Sequence, residues 1–147
     1  MQWFFLIQPS PFPEQLIAAN PKAFAEKCLG VGGNKGLSIF GQDCIDIYTE
    51  TMGDYDAAHG MCEDYRAAAT IDLEEQRADI AAGRKIRCPL MVLWGKYGIP
   101  EKCFKPVEEW KAIHATGEVS GQAVDSGHFI PEENPEVVLK HIKTFLV

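Results

Sequence analysis

His128 carries the clearest capacity for chemistry in this sequence. It stands in Ser126-Gly127-His128-Phe129-Ile130-Pro131-Glu132-Glu133-Asn134-Pro135, just past the end of an expected strand and before an expected helix. Ligand sites of open α/β sheets lie at that edge. An imidazole there can exchange protons near neutral pH, and Gly127 lets the loop turn tightly so that the ring can face a crevice. A loop histidine that only hydrogen-bonds its neighbours fits the same position, so this reading makes His128 a candidate general base.

Other reactive residues give weaker patterns. His59 and Cys62 sit three apart and could share a helix face as metal ligands, but no second pair completes four, so a packing role is preferred and no metal is expected. The five cysteines, Cys28, Cys44, Cys62, Cys88 and Cys103, are odd in number and contain no CxxC pair. They read as reduced, mostly buried thiols rather than a disulfide framework or zinc ribbon. Gly30-Val31-Gly32-Gly33-Asn34-Lys35-Gly36 has the glycine content of a dinucleotide fingerprint, yet it follows a helix where that fingerprint must follow a strand. It is read as a C-cap and loop, and no cofactor is expected.

Stepping along the chain, Trp3 to Ile7 is an apolar run directly after the initiator, so the chain reads as starting within structure. Pro9, Pro11 and Pro13 predict an extended turn. Asn20 and Pro21 predict the N-cap and first position of a helix to Leu29. Helices are expected over Gln42–Met52 and again after Asp54, where Ala58, Met61, Cys62, Tyr65, Ala68 and Ala69 recur at three- and four-residue steps. Asp72 and Glu75 have the chemistry of a capping box that opens a helix stopping at Gly83.

The pattern changes after Arg84–Cys88. Pro89 to Gly95 reads as a fully buried strand, Lys105 to Ala115 as a helix, Glu118 to Asp125 as a second strand, and Asn134-Pro135 as the start of a helix with Val138, Leu139, Ile142, Phe145 and Leu146 inward. Strand, helix, strand, helix implies a parallel α/β sheet. Two strands do not complete such a sheet, because an exposed apolar edge invites further pairing. Either this chain pairs with another polypeptide, as a homodimer or with a complementing N-terminal half, or it is the C-terminal portion of a larger fold.

Charge narrows the partners. The 147 residues carry 14 basic and 21 acidic side chains, a net −7. Residues 1–84 hold 6 basic and 13 acidic residues and the remainder holds 8 of each, so all the excess is in the first part. Nucleic acid is excluded as a partner because its phosphates attract basic surfaces. The longest apolar run is five residues against the roughly 20 needed to cross a bilayer, so no membrane span is expected. Nothing at the start has the layout of a signal peptide, and a cytoplasmic location is expected.

The His128 segment resembles the catalytic-histidine loop of the α/β-hydrolase superfamily, and nearly the whole chain is similar to the C-terminal half of the fluoroacetate (haloacetate) dehalogenases. The resemblance is carried by Trp3-Phe4-Phe5-Leu6-Ile7-Gln8-Pro9, by the long block Met61-Cys62-Glu63-Asp64-Tyr65-Arg66-Ala67-Ala68-Ala69-Thr70-Ile71-Asp72, by Ala82-Gly83-Arg84-Lys85-Ile86, by Pro89 to Gly95, and by Gly127-His128-Phe129 with Pro131-Glu132-Glu133. It implies a partial α/β-hydrolase fold: a helical cap over residues 1–84 and the C-terminal part of the hydrolase core over 85–147, with the nucleophile-bearing N-terminal half absent.

The resemblance also implies a reaction. An aspartate displaces halide from the α-carbon of a halogenated carboxylic acid, and a histidine-activated water hydrolyses the resulting ester. His128 matches that base. Trp3 and Tyr65 match the cap tryptophan and tyrosine that hydrogen-bond the departing halide, and Gln2 stands where the family has a cap histidine. The nucleophile and the triad acid have no match in this sequence: Lys96-Tyr97-Gly98 offers no acid after the first strand, and Asp125 lies close to His128 on the same strand end. The implied protein is therefore inactive alone. An epoxide hydrolase fragment is the alternative, with Tyr65 and either Tyr48 or Tyr55 polarising the epoxide. From another class, a non-catalytic fragment could bind a partner polypeptide through its strand edge.

Overall fold

In the computed structural model, residues 2–32, 35–113 and 117–146 are described. The chain forms two compact units, one of Met1–Val31 with Phe40–Ala78 and the other of Gly32–Ile39 with Asp79–Val147.

The first unit is helical among its described residues. It contains α1 (Gln2–Leu6), α2 (Phe12–Ala19), α3 (Pro21–Gly32), α4 (Gln42–Gly53), α5 (Tyr55–Ala69) and most of α6 (Ile71–Ala81). Its centre is a cluster of Leu6, Ile17, Ala58 and Cys62, with Phe5, Phe24, Met52, Met61 and Tyr65 packed around it. Burying Leu6 and Ile17 completely contributes roughly 1.5–3 kcal/mol each. Ala58 and Cys62 turn inward because they lie four apart on one face of α5. Asp54 caps that helix, its carboxylate accepting from the Ala57 amide at 2.9 Å. Asn20 does the same for α3, accepting from Ala23 at 3.2 Å.

Several expectations for this unit are corrected. The residues before Pro21 hold two helices, α1 and α2, and Pro13 lies in the first turn of α2, where a missing amide costs no intrahelical bond. The α3 helix runs through Gly30 to Gly32 instead of ending at Leu29. Gly33 and Asn34, in the expected C-cap loop, lie outside the described residues, as does Met1. The Asp72–Glu75 capping box does not form the start of α6. That helix begins one residue earlier, at Ile71, because Thr70 joins it directly to α5: the Thr70 hydroxyl donates to the Arg66 carbonyl at 2.7 Å and its own carbonyl accepts from Leu73 and Glu74.

The second unit contains β1 (Leu90–Gly95), α7 (Ile99–Cys103), α8 (Pro106–Ile113), β2 (Val119–Val124), α9 (Ile130–Glu133) and α10 (Pro135–Phe145). The strands pair in parallel, with Leu90 opposite Val119 and Gly95 opposite Val124. Helix α8 packs on both strands and α7 on β1. Gly121 lies under Val92 with φ +157°, where a Cβ would meet the Val92 carbonyl oxygen at 2.0 Å. No side chain fits that approach of the two strands.

Three more expectations fail here. β1 is half-buried along Leu90–Trp94 rather than fully buried, since among the described residues β2 pairs with only one of its edges and leaves the other open. The apolar stripe of α10 is not inward: Val138 is half-buried, whereas Leu139, Ile142, Phe145 and Leu146 are exposed, because its main neighbour is the four-residue α9. The thiols are free but not mostly buried. Cys62 is buried and Cys28 half-buried, while Cys44, Cys88 and Cys103 lie in surface segments. Ala115, the expected end of the helix after Lys105, lies outside the described residues.

Candidate active site

The His128 loop is fastened from three sides. Beneath it, the stretch leaving β1 is zipped to the stretch leaving β2: the Lys96 amide donates to the Val124 carbonyl at 2.8 Å and the Tyr97 amide to the Ser126 carbonyl at 3.1 Å. Ser126 is buried. Gly95 closes the approach, since a Cβ there would stand 1.8 Å from the Gly127 carbonyl oxygen.

From the far side, Glu133 reaches back from α9. Its carboxylate accepts the Gly127 amide at 2.8 Å and the Phe129 amide at 3.2 Å, so the two amides flanking His128 are held by one side chain. Two backbone donors that would otherwise face a crowded turn are thereby satisfied. The imidazole itself is exposed and meets the Phe129 ring edge-on, with centroids 5.0 Å apart. A side chain held by a fastened backbone yet open to solvent can accept a proton from water or substrate.

The third fastening is the Tyr97 hydroxyl, which donates to Asp125 at 2.6 Å. That bond, with the negative charge of Asp125, pushes the Tyr97 phenol above its ordinary value. Asp125 is therefore engaged by Tyr97. The other carboxylate near the end of β1, Glu101, accepts from the Trp94 indole. Neither acid carries a hydrogen bond to His128.

In the first unit, Trp3 and Tyr65 meet although they are far apart in sequence. Their ring centroids are 5.0 Å apart at 72°, an edge-to-face pair. Trp3 is half-exposed. Gln2 lies on the same short helix as Trp3, with its side chain near the Cys28 thiol. Burial pushes that thiol up, as it does the thiol of Cys62. The structure thus brings Trp3 and Tyr65 together and sets Gln2 near Cys28 of α3, while His128 belongs to the second unit.

Sequence reasoning missed Glu133 as a functional residue, although a carboxylate five residues after the histidine could have been read as a backbone acceptor. It also missed Gly95, noted only as a strand end. His59 and Cys62, three apart on one helix, go to different partners: His59 faces the Glu14 carboxylate at 3.1 Å and Cys62 is in the core. Among the described residues no group of three or more His, Cys, Asp or Glu could hold a metal ion, and no helix is long and apolar enough to cross a membrane.

A parallel strand pair with a crossover helix and a histidine loop at the carboxyl end of its second strand, together with a helical unit, defines the C-terminal part of an α/β-hydrolase, and this chain has that partial α/β-hydrolase fold. It is 34% identical over 144 residues to a fluoroacetate dehalogenase of Burkholderia sp, a match covering 98% of this chain and 46% of that protein. A solved structure from Nostoc sp PCC 7120, assigned to the α/β hydrolases, is 43% identical with a TM-score of 0.88, covering 99% of this chain and 48% of that one. Another, from Pseudomonas aeruginosa and assigned as an epoxide hydrolase, is 37% identical with a TM-score of 0.87, covering 98% and 47%. The chain thus spans about half the length of these relatives. No protein-family model matches it.

Proposed function

We propose that this chain supplies the general base and the cap contacts of a carbon–halogen hydrolase acting on halogenated carboxylic acids. Residues 1–84 are the helical cap and 85–147 the C-terminal part of the core in this reading. An aspartate on the N-terminal half of the fold, which these 147 residues do not span, attacks the α-carbon of a haloacetate. The carbon–oxygen bond forms as the carbon–halogen bond breaks, and the halide leaves with the electron pair. His128 then takes a proton from water, whose oxygen attacks the ester carbonyl; the acyl carbon–oxygen bond breaks, the departing alkoxide takes a proton back from the imidazolium to leave as the hydroxy acid, and the aspartate carboxylate is restored as its own proton passes to solvent. Trp3 and Tyr65 donate hydrogen bonds to the departing halide, and Gln2, the residue before Trp3 on α1, serves as a neutral donor in place of the family's cap histidine. Alone, the 147 residues release no halide, because loss of the nucleophile removes most of the rate.

The observation that carries this reading is the Trp3–Tyr65 pair, which sets an indole and a phenol side by side in a chain similar to a fluoroacetate dehalogenase. The second reading, epoxide opening, draws on the Pseudomonas relative. It needs a second tyrosine beside Tyr65, but Tyr55 stacks on His59 and Tyr48 meets Phe40.

The test joins this chain to the N-terminal half of the Burkholderia relative, as a fusion or by co-expression. Fluoroacetate, chloroacetate and an epoxide are assayed in parallel. Halide release by the restored protein, with none from the chain alone, is expected. In the His128→Ala form, halide should appear once per active site and then stop, with the ester retained on the aspartate. A restored, folded protein that releases no halide overturns dehalogenation, and diol formation would move the assignment to the epoxide reading. A chain that assembles as a homodimer and stays inert with the N-terminal half would favour the non-catalytic, partner-binding reading.

A further inference from the structure

Tyr65 is followed on α5 by Arg66, whose guanidinium holds the other end of the helix that carries Trp3. Its Nε donates to the Gln8 carbonyl at 3.0 Å, and one terminal nitrogen donates to the same oxygen. Gln8 in turn closes α1. Its amide donates to the Phe5 carbonyl at 3.2 Å, its side-chain nitrogen donates to the Phe4 carbonyl at 2.8 Å, and the Ile7 amide beside it donates to the Trp3 carbonyl at 3.1 Å. A continuous path of bonds therefore runs from Arg66 through Gln8 and α1 to Trp3, and the Trp3 ring returns to Tyr65, the neighbour of Arg66.

Behind Arg66 stands Glu14 of α2. Its side chain is wholly buried, accepts from Arg66 at 2.8 Å and faces His59 at 3.1 Å, while its second oxygen has no partner. Glu63, exposed on the next turn, accepts from the same Arg66 nitrogen at 2.6 Å. Taking a carboxylate out of water to meet one guanidinium returns little net stability compared with an apolar residue of the same size. What the pair does supply is direction: the planar guanidinium, fixed by Glu14 on one side, presents two donors to one carbonyl on the other.

We propose that Glu14 and Arg66 are positioning residues that fix Trp3 against Tyr65 by clamping the Gln8 carbonyl at the end of α1. The proposal rests on the reading above in which Trp3 and Tyr65 contact the substrate halogen. The competing account is that apolar packing of Leu6 and Phe5 alone sets α1 in place.

The two accounts separate in the full chain by NMR. Arg66→Lys keeps the positive charge opposite Glu14 but loses the planar fork, and Glu14→Gln keeps an acceptor but loses the charge. With the fold retained by circular dichroism, both variants should lose at least half of the ring-to-ring nuclear Overhauser intensity between Trp3 and Tyr65. The Trp3 indole resonance should shift, while those of Trp94 and Trp110 stay in place. Unchanged Trp3–Tyr65 contacts in either folded variant overturn the proposal. So does global unfolding of both, which would make the pair a requirement of the fold and not a device for one ring. Chloride is then added to the unmodified chain. If the Trp3 resonance does not respond while the ring contacts obey the prediction, the halide reading fails and the positioning role stands.

Discussion

Gly95 and Gly127 lie so close that a Cβ built on Gly95 would stand 1.8 Å from the Gly127 carbonyl oxygen and 2.8 Å from its carbon. The end of the first strand is thus the floor on which the His128 loop rests, and only a hydrogen fits between them.

Replacing that hydrogen is the sharpest test. Gly95→Ala sets side chain against backbone with nothing flexible to yield, so the loop must lift or the strand pairing at Gly95–Val124 must open. A loss of about 2–3 kcal/mol is expected, read by urea unfolding. In a restored enzyme, the ester-hydrolysis step that depends on His128 should slow more than halide release.

Glu133 should act on the same loop through its backbone amides. Glu133→Ala leaves the Gly127 and Phe129 amides without their acceptor, at about 1–3 kcal/mol of local stability. Amide hydrogen exchange at these two positions should accelerate about tenfold or more, while amides in the Leu90–Gly95 strand keep their rates. Equal acceleration throughout the second unit would make Glu133 a general stabiliser instead.

Tyr97 offers an optical signal. Its phenol is pushed up by the bond to Asp125, so it should ionise above the ordinary tyrosine value in an alkaline titration followed by phenolate absorbance. Asp125→Asn should return that titration toward the ordinary value. Because the folded value lies above the unfolded one, the contribution of this bond is present below about pH 10 and is lost as pH rises through the folded value. Tyr97→Phe should remove that alkaline sensitivity.

Glu14 titrates in the opposite sense. Burial works against its ionisation, but hydrogen bonds from Arg66, from the backbone and from His59, together with the charge of Arg66, outweigh it and hold the carboxyl down at about 2 from an ordinary 4.5. Its contribution is therefore present above about pH 4.5 and is lost as pH falls toward 2. Thermal unfolding of the first unit should show that acid loss in the unmodified chain and a flatter profile in Glu14→Gln. Glu14→Ala removes one of the two carboxylates that Arg66 meets and leaves it Glu63 and the Gln8 carbonyl, so the loss at neutral pH should stay below the roughly 3–5 kcal/mol of a fully unpaired buried charge.

Much of the architecture was legible because it is written in local periodicity. The inward face of α5, its Asp54 cap, the Asn20 cap of α3 and the change from helices to parallel strands after Arg84 all follow from neighbours within a few residues. What failed depended on distant partners. No local pattern says that the apolar stripe of α10 is left exposed, that β1 is only half-buried, or that Thr70 joins two helices without the Asp72 box.

The functional residues divide in the same way. Residue type and spacing by themselves determined that His128 stands after a strand and before a helix and that Tyr65 lies on a helix of the first part, whereas the helix that carries Gln2 and Trp3 came only with the structure. Only the tertiary structure decided that Trp3 and Tyr65 share an edge-to-face contact across 61 intervening positions, that Glu133 holds both amides flanking His128, and that Glu14 goes into the core with Arg66. The reason is physical: hydrogen bonding within a helix or strand is settled between near neighbours, whereas a ring contact or a buried ion pair exists only once chain segments far apart have met and excluded water.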